Sequence, residues 1–351
     1  VEYIRFIKNS EYSIKSDPSR FWRYLNCKRR HTGIPSQLTF GDTIVNGAEN
    51  IVNAFAEFYE STYIGSSTYS NYLKDKCNVA NVNISLSTIM ECEVLDAVKK
   101  IKTNYVQGPD KIPAVIVKDC AQVFVKPLTF LFNFCIRAGT FPDCWKLSKV
   151  IPVYKSKSRN AIENYRPISI INNFAKIFEA IIFKQLYSQV AAVISERQHG
   201  FMHGRSTVTN LFCTTQFISN AIDSGLQTDV IYLDFSKAFD RLDHGILFHK
   251  LDVLGFGPQL IRFFMSYLYN RQQYVHCFGY NSRYINVSSG VPQGSVLGPL
   301  LFLLFINDIT DELDIEYALY ADDIKIYSRI STTKDCIVLQ QNLNKILIWS
   351  S

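Results

Sequence analysis

The sequence predicts an α+β fold, on three observations. Segments with helical and strand-like periodicity follow one another without regular βα alternation. Two short runs rich in aromatic and β-branched residues, Tyr317-Ala318-Leu319-Tyr320 and Ile324-Lys325-Ile326-Tyr327, flank Ala321-Asp322-Asp323 like the arms of a hairpin. Upstream, the apolar run Val230-Ile231-Tyr232-Leu233 reads as a further strand that delivers Asp234 at its end. A chain of 351 residues, 47% hydrophobic and 19% charged, can bury a sizeable core divided among two or three subdomains.

Residues 1–65 read as helices around a basic turn. Asp17-Pro18 can open a helix carrying Phe21, Trp22 and Leu25, and Lys28-Arg29-Arg30-His31 follows. Ile51, Ala54, Phe55 and Phe58 recur at helical spacing. The polar stretch from Gly65 to Asn83 reads as a loop. Thr88-Ile89-Met90-Glu91 fits a capping box, continued by Val94, Leu95, Val98 and Ile101. Gly108-Pro109-Asp110 breaks the chain before an apolar helix from Val123 to Ala138, which Gly139 ends. Lys149 to Tyr154 reads as a strand, placed at an edge by Pro152, with a second strand near Pro167-Ile168-Ser169-Ile170. Helices at 172–193 and 206–224 precede the Asp234 strand. Helices at 246–254 and 258–269, a hairpin at 272–287, a glycine-rich turn and a helix at 297–308 come next. Beyond the Asp322-Asp323 hairpin, a last helix carries Leu339, Leu343, Ile346 and Leu347.

The net charge of +6 is mildly basic, compatible with a nucleic-acid partner and equally with an ordinary enzyme. Nine cysteines without a CxxC pair fit a reduced, intracellular protein without a structural zinc site. His199 and His203 are four apart but have no companion ligands at metal-binding spacing. The longest apolar run, Leu300 to Ile306, is too short to cross a bilayer, and no secretory signal is visible. A first residue of Val1 and an end in helical pattern lead us to expect a piece of a longer polypeptide.

Three aspartates on neighbouring strand ends have the donor set for two divalent cations. Such a pair, about 3.5–4 Å apart, serves in-line nucleotidyl transfer, one ion at the attacking hydroxyl and one at the leaving group. Magnesium takes hard oxygen ligands and keeps several waters, so two or three carboxylates and the substrate phosphates suffice. Read alone, each residue keeps a plainer alternative. Asp323 can be a solvated turn residue, Phe239 a packing aromatic, and Lys155 and Arg166 part of a solvated basic loop. Gly290 to Gly294 can be an ordinary connection.

Several ordered blocks carry a resemblance. They are Gly108-Pro109-Asp110-Lys111-Ile112-Pro113; Trp145-Lys146 with Val150-Ile151-Pro152-Val153-Tyr154-Lys155; Asn164-Tyr165-Arg166-Pro167-Ile168-Ser169; and Gln198-His199-Gly200-Phe201 with Gly204-Arg205-Ser206-Thr207. Leu233-Asp234-Phe235-Ser236-Lys237-Ala238-Phe239-Asp240, Gly290-Val291-Pro292-Gln293-Gly294-Ser295 and Tyr320-Ala321-Asp322-Asp323 complete the series. Over almost its whole length the chain resembles the reverse transcriptase domain of non-LTR, LINE-type retrotransposons, of jockey-like flavour.

The resemblance implies a right-hand polymerase fold with a ferredoxin-like palm sheet. A mainly helical N-terminal extension would take 1–90, fingers 91–227 and an incomplete palm 228–351, with thumb and endonuclease absent. It implies catalytic Asp234, Asp322 and Asp323, with two Mg2+ (or Mn2+) held at Asp234, Phe235 and Asp322. Lys155, Arg166, Phe239 and Gln293 would bind the nucleotide, Phe239 as the steric gate against a 2′-hydroxyl. Arg205, Gly294, Tyr320 and Ala321 would meet template or primer. The expected partners are an RNA template, a DNA primer and dNTPs, with no membrane, and the family implies action in the nucleus. The competing readings are an RNA-dependent RNA polymerase, which Phe239 disfavours, and a nucleic-acid-binding relic without catalysis.

Overall fold

The computed structural model describes residues 33–65, 83–103 and 105–350. The helix expected around Phe21, Trp22 and Leu25, the basic turn at Lys28 to His31 and most of the polar loop lie outside them.

The described chain opens with a hairpin of β1 (Gln37–Phe40) and β2 (Thr43–Asn46), followed by helix α1 (Ala48–Glu60). The sequence reading of 1–65 as helices contains no strand, so this hairpin is an addition to it. Gly41 turns at φ +57°, and the β-branched Thr43, Ile44 and Val45 pair back on Leu38, Thr39 and Phe40. Helix α2 (Glu91–Lys100) begins later than the capping box at Thr88 implies. Its N-terminus is closed by Glu93, whose carboxylate accepts the Met90 N–H at 3.0 Å.

Next come α3 (Ala114–Asp119), α4 (Ala121–Ala138), β3 (Leu147–Tyr154), β4 (Tyr165–Ile170), α5 (Asn173–Val190) and α6 (Thr207–Asp223). The carboxyl-terminal part holds β5 (Gln227–Asp234), α7 (Ala238–Arg241), α8 (His244–Val253), α9 (Pro258–Leu268), β6 (Arg271–Cys277), β7 (Tyr280–Asn281) and β8 (Ile285–Val287). It closes with α10 (Gly298–Ile306), β9 (Glu316–Tyr320), β10 (Asp323–Ile330) and α11 (Thr333–Ser350).

Two larger sheets frame the molecule. One runs β4-β3-β6-β7, with β8 also on β6. Strand β3 is antiparallel to β4 and parallel to β6, so it is internal, not an edge. The β6 pairing stops at Val150, and Pro152 lies beyond it, where no ladder partner needs its missing N–H. Strand β6 also shows that a division at 227/228 cuts through this sheet. The other sheet is antiparallel, in the order β5-β10-β9.

Helix α1 lays Ile51, Val52, Phe55 and Tyr59 on the first sheet, against Val150, Ile162, Tyr165 and Val275. The main core gathers α2, α4, α5 and α8–α10 with the inner face of the second sheet, through Leu319, Ile324 and Ile326. Helix α10 is apolar on nearly all sides because it is surrounded. Helix α11 buries Leu339 and Ile346 while Leu347 is exposed, so the apolar stripe expected along it is covered over part of its length. Asp308 anchors its end, accepting from Lys250 Nζ at 2.7 Å and Trp349 Nε1 at 3.0 Å. Among the described residues no helix is long and apolar enough to cross a membrane.

Glu179 of α5 is fully buried and joins three elements. Its carboxylate accepts the N–H groups of Val296 (2.7 Å) and Leu297 (3.2 Å), just before α10, and the Tyr267 hydroxyl of α9 (3.1 Å). Burial raises its pKa, and the Arg271 guanidinium opposes that rise. Removing this carboxylate strands two N–H groups and a buried guanidinium. Glu179→Ala is therefore expected to lose about 3–5 kcal/mol in urea unfolding, and Glu179→Gln distinctly less. Equal losses from both would place the effect in the lost negative charge beside Arg271 and not in the hydrogen bonds.

Candidate active site

Strand β5 is apolar toward the core and ends where its carboxylate reaches solvent. Its register with β10 sets Asp234 directly opposite Asp323, while Asp323 also faces Tyr320 across the β9–β10 hairpin. Antiparallel partners stand about 4.5–5.5 Å apart at Cα. Asp322 sits between them in the two-residue turn Ala321-Asp322, which Ala321 enters at φ +55°. Asp234, distant in sequence, thus meets the adjacent Asp322 and Asp323 at one sheet end.

The turn is braced from beneath. Residues 197–200 run beside β9, with His199 N–H donating to Leu319 O (2.9 Å) and Leu319 N–H to Arg197 O (3.0 Å). Buried Gln198 uses its side-chain oxygen to accept the N–H groups of Gly200 and Ala321, both at 2.8 Å. Gly200 must be glycine here, since a Cβ would stand 2.3 Å from Ala321 N.

A cleft of about 890 Å3 opens over this end. It is lined by Asp234, Phe235, Asp322 and Asp323, by Lys155 and Arg166 of the β3–β4 side, by Gln293 and Gly294, and by Phe239, Tyr320 and Ala321. Arg205 is outside this lining. Its Nη1 donates to the carbonyls of Gln198 (3.0 Å) and Glu196, so it secures the loop under the turn. Phe235 has only its backbone carbonyl to offer a cation.

Burial raises the Asp322 pKa. Its own backbone N–H opposes this, Asp323 and Asp234 add to the rise, and Lys155 draws it down. Crowded carboxylates of this kind favour a cation between them. Among the described residues no three Asp, Glu, His or Cys side chains form a ready-made cage. The fit is to a cation completed by water and substrate oxygens, as magnesium requires. The Phe239 ring is fixed by stacking on Phe302 (4.2 Å between centroids, 16°) and by an edge contact with Phe201 at 6.0 Å.

Some lining residues escape sequence reasoning. Phe58, Tyr59 and Thr62, from α1 and the turn after it, form one wall. Their helical spacing signals a packed face and gives no sign of a distant cleft. Lys237 lies within a quoted block yet had no assigned role. It adopts φ +54° and carries its Nζ to 3.9 Å from the Phe58 ring centroid. His199 meets Thr209 through Nδ1 at 2.8 Å, whereas His203 stacks on Tyr187, so the two histidines serve separate contacts.

The chain is 27% identical over 326 residues to the probable RNA-directed DNA polymerase from transposon BS of Drosophila melanogaster, covering 88% of this chain and 36% of that protein. It is 30% identical over 312 residues to the probable RNA-directed DNA polymerase from transposon X-element of the same organism, covering 86% and 34%. To the RNA-directed DNA polymerase from mobile element jockey of that fly it is 30% identical over 259 residues, covering 71% and 28%. The chain therefore spans about a third of the length of these relatives. Residues 154–351, more than half of the chain, match the family described as reverse transcriptase (RNA-dependent DNA polymerase). With three carboxylates gathered in a cleft that Lys155 and Arg166 also line, and this match across them, the chain belongs to the reverse transcriptase family.

Proposed function

We propose that this chain carries the fingers and palm of an RNA-directed DNA polymerase that extends a DNA primer on an RNA template. The observation that carries the reading is the register of Asp234 against Asp323, with Asp322 in the adjoining β9–β10 turn and Lys155 and Arg166 lining the same cleft. The β5-β10-β9 sheet corresponds to the palm. The β3–β4 hairpin belongs to the fingers, and β6 joins it there in spite of its place in the chain. Residues before α2 form an N-terminal extension whose helix α1 walls the cleft.

The reaction is attack of the primer 3′-hydroxyl on the α-phosphate of a dNTP, with release of pyrophosphate. Two Mg2+ ions, when bound, activate the hydroxyl and neutralise the leaving group. Asp234 and Asp322, with the Phe235 carbonyl, are the residues that would hold them, and Asp323 supports. The chain's own work is positioning and charge. Lys155 and Arg166 meet the triphosphate, Arg166 as a planar fork and Lys155 as a point charge. Phe239, wedged between Phe302 and Phe201, stands under the sugar and excludes a 2′-hydroxyl. Tyr320, Ala321 and Gly294 face the primer–template duplex. Arg205 contacts template through the N–H groups that the loop carbonyls leave over.

Primer extension on poly-rA with dTTP and Mg2+ tests the reading. Asp234→Asn and Asp322→Asn are each expected to lower the rate by on the order of 10²-fold or more with unchanged melting temperature, and Asp323→Asn to lower it less. Near wild-type extension by either of the first two would remove the site assignment.

Phe239→Val should raise incorporation of rNTPs far more than it changes incorporation of dNTPs, measured as the ratio of the two rates. Unchanged sugar discrimination would return Phe239 to packing alone.

Lys155→Ala and Arg166→Ala should each raise KM for dNTP about tenfold or more, the worth of one charge-assisted hydrogen bond at about 1.5–3 kcal/mol. A loss of template affinity with unchanged KM for dNTP would move both residues to the template track.

A further inference from the structure

Asp240, the residue after Phe239, is buried, yet it has no part in the reading above. Its carboxylate accepts a hydrogen bond from Gln293 Nε2 at 2.8 Å. A buried carboxylate costs free energy unless it is well partnered. A carboxylate at this position can only accept, so it turns the NH2 end of the Gln293 amide inward and leaves the amide oxygen toward the cleft.

The backbone around the pair is tied just as closely. Gly290 N–H donates to Leu242 O at 2.7 Å and Val291 N–H to Phe239 O at 2.9 Å. The Ser289 hydroxyl donates to Asp240 O at 2.7 Å, and Ser169 N–H of β4 donates to Gln293 O at 2.7 Å. Gly290 adopts φ +78°, and a Cβ there would lie 2.4 Å from Phe239 O. The turn that bears the Phe239 ring and the loop that bears Gln293 are therefore one rigid piece.

We propose that Asp240 is a positioning residue for the nucleotide site: it locks the Gln293 amide with its oxygen facing the incoming nucleotide, at fixed height beside the Phe239 ring. This rests on the reading of Gln293 as a nucleotide contact. Burial pushes the Asp240 pKa up to about 6, with Gln293 and Lys237 holding it down, so the carboxylate is mainly ionised at neutral pH and available as acceptor.

Two measurements on the full chain test the proposal. The first is the side-chain 15N amide resonance of Gln293, assigned by its loss in Gln293→Ala. It should shift and lose exchange protection in Asp240→Ala. An unchanged resonance overturns the proposal whatever the enzyme does, including the case in which the wild type extends no primer and the polymerase reading itself fails.

The second is steady-state extension with dTTP. Asp240→Ala is expected to raise KM about tenfold with kcat little changed, the loss of one hydrogen bond to a charged group. Asp240→Asn keeps an acceptor in place and should stay within about twofold of the wild type. In a Gln293→Ala background, Asp240→Ala should add less than about twofold, because both changes remove the same contact. Effects that multiply in the double variant, or an unchanged KM in Asp240→Ala, overturn the proposal. If Asp240→Ala fails to fold, Gln293→Glu and Gln293→Glu/Asp240→Asn replace it. The first sets two carboxylates against each other and should raise KM, and the second restores a donor–acceptor pair and should recover it. No recovery overturns the proposal.

Discussion

The side-chain amide of Gln198 is the contact on which the rest of the site depends. It lies beneath the β9–β10 turn and accepts the Ala321 N–H at 2.8 Å, in a buried setting where an unmet amide group is costly. The turn has only two residues, and one of them, Ala321, is held at positive φ. Such a turn keeps its shape because something outside it fixes the backbone. Once it is fixed, Asp322 projects from the tip and Asp323 falls opposite Asp234. The segment carrying Gln198 lies 123 residues before Ala321, so the support of the carboxylate cluster depends on the packing of distant parts of the chain.

A second level of support comes from the cleft walls. The Phe239 turn, the Gly290–Gly294 loop and strand β4 share backbone hydrogen bonds, and the aromatic pair Phe239–Phe302 fastens the turn to helix α10. Helix α10 is in turn received by Glu179. A chain of contacts thus runs from a buried glutamate in α5 to the Phe239 ring in the cleft wall. Each link is short and uses groups that would be costly to leave unpaired, so the cleft has little room to relax around a wrong ligand.

Much of this was legible in the sequence because local rules carry it. The alternation around Asp322 and Asp323 signals a hairpin, the apolar run before Asp234 signals a strand, and helix spacing places α4 to α6 and α8 to α10 within a few residues. What escaped is what locality does not encode. The β1–β2 hairpin was hidden by the stronger helical periodicity that follows it. Strand β6 joins β3 in parallel across a long separation, which no spacing reveals. Phe58 and Tyr59 read as one more buried helix face, and only the packing of α1 on the first sheet brings them to the cleft. That the Arg205 guanidinium also holds the carbonyls of Glu196 and Gln198 in its own loop is likewise a tertiary contact that spacing does not announce.

The pairing of β10 with β5 has a consequence for changes in chain length. Side chains alternate between the two faces of a sheet, so one residue gained between Asp323 and Ile324 would set the core register of Ile324 and Ile326 against the register that places Asp323 opposite Asp234. Replacements in these strands can be absorbed one at a time, while changes of length cannot. A change of length at the start of β10 would therefore disturb the carboxylate cluster even where every aspartate is kept.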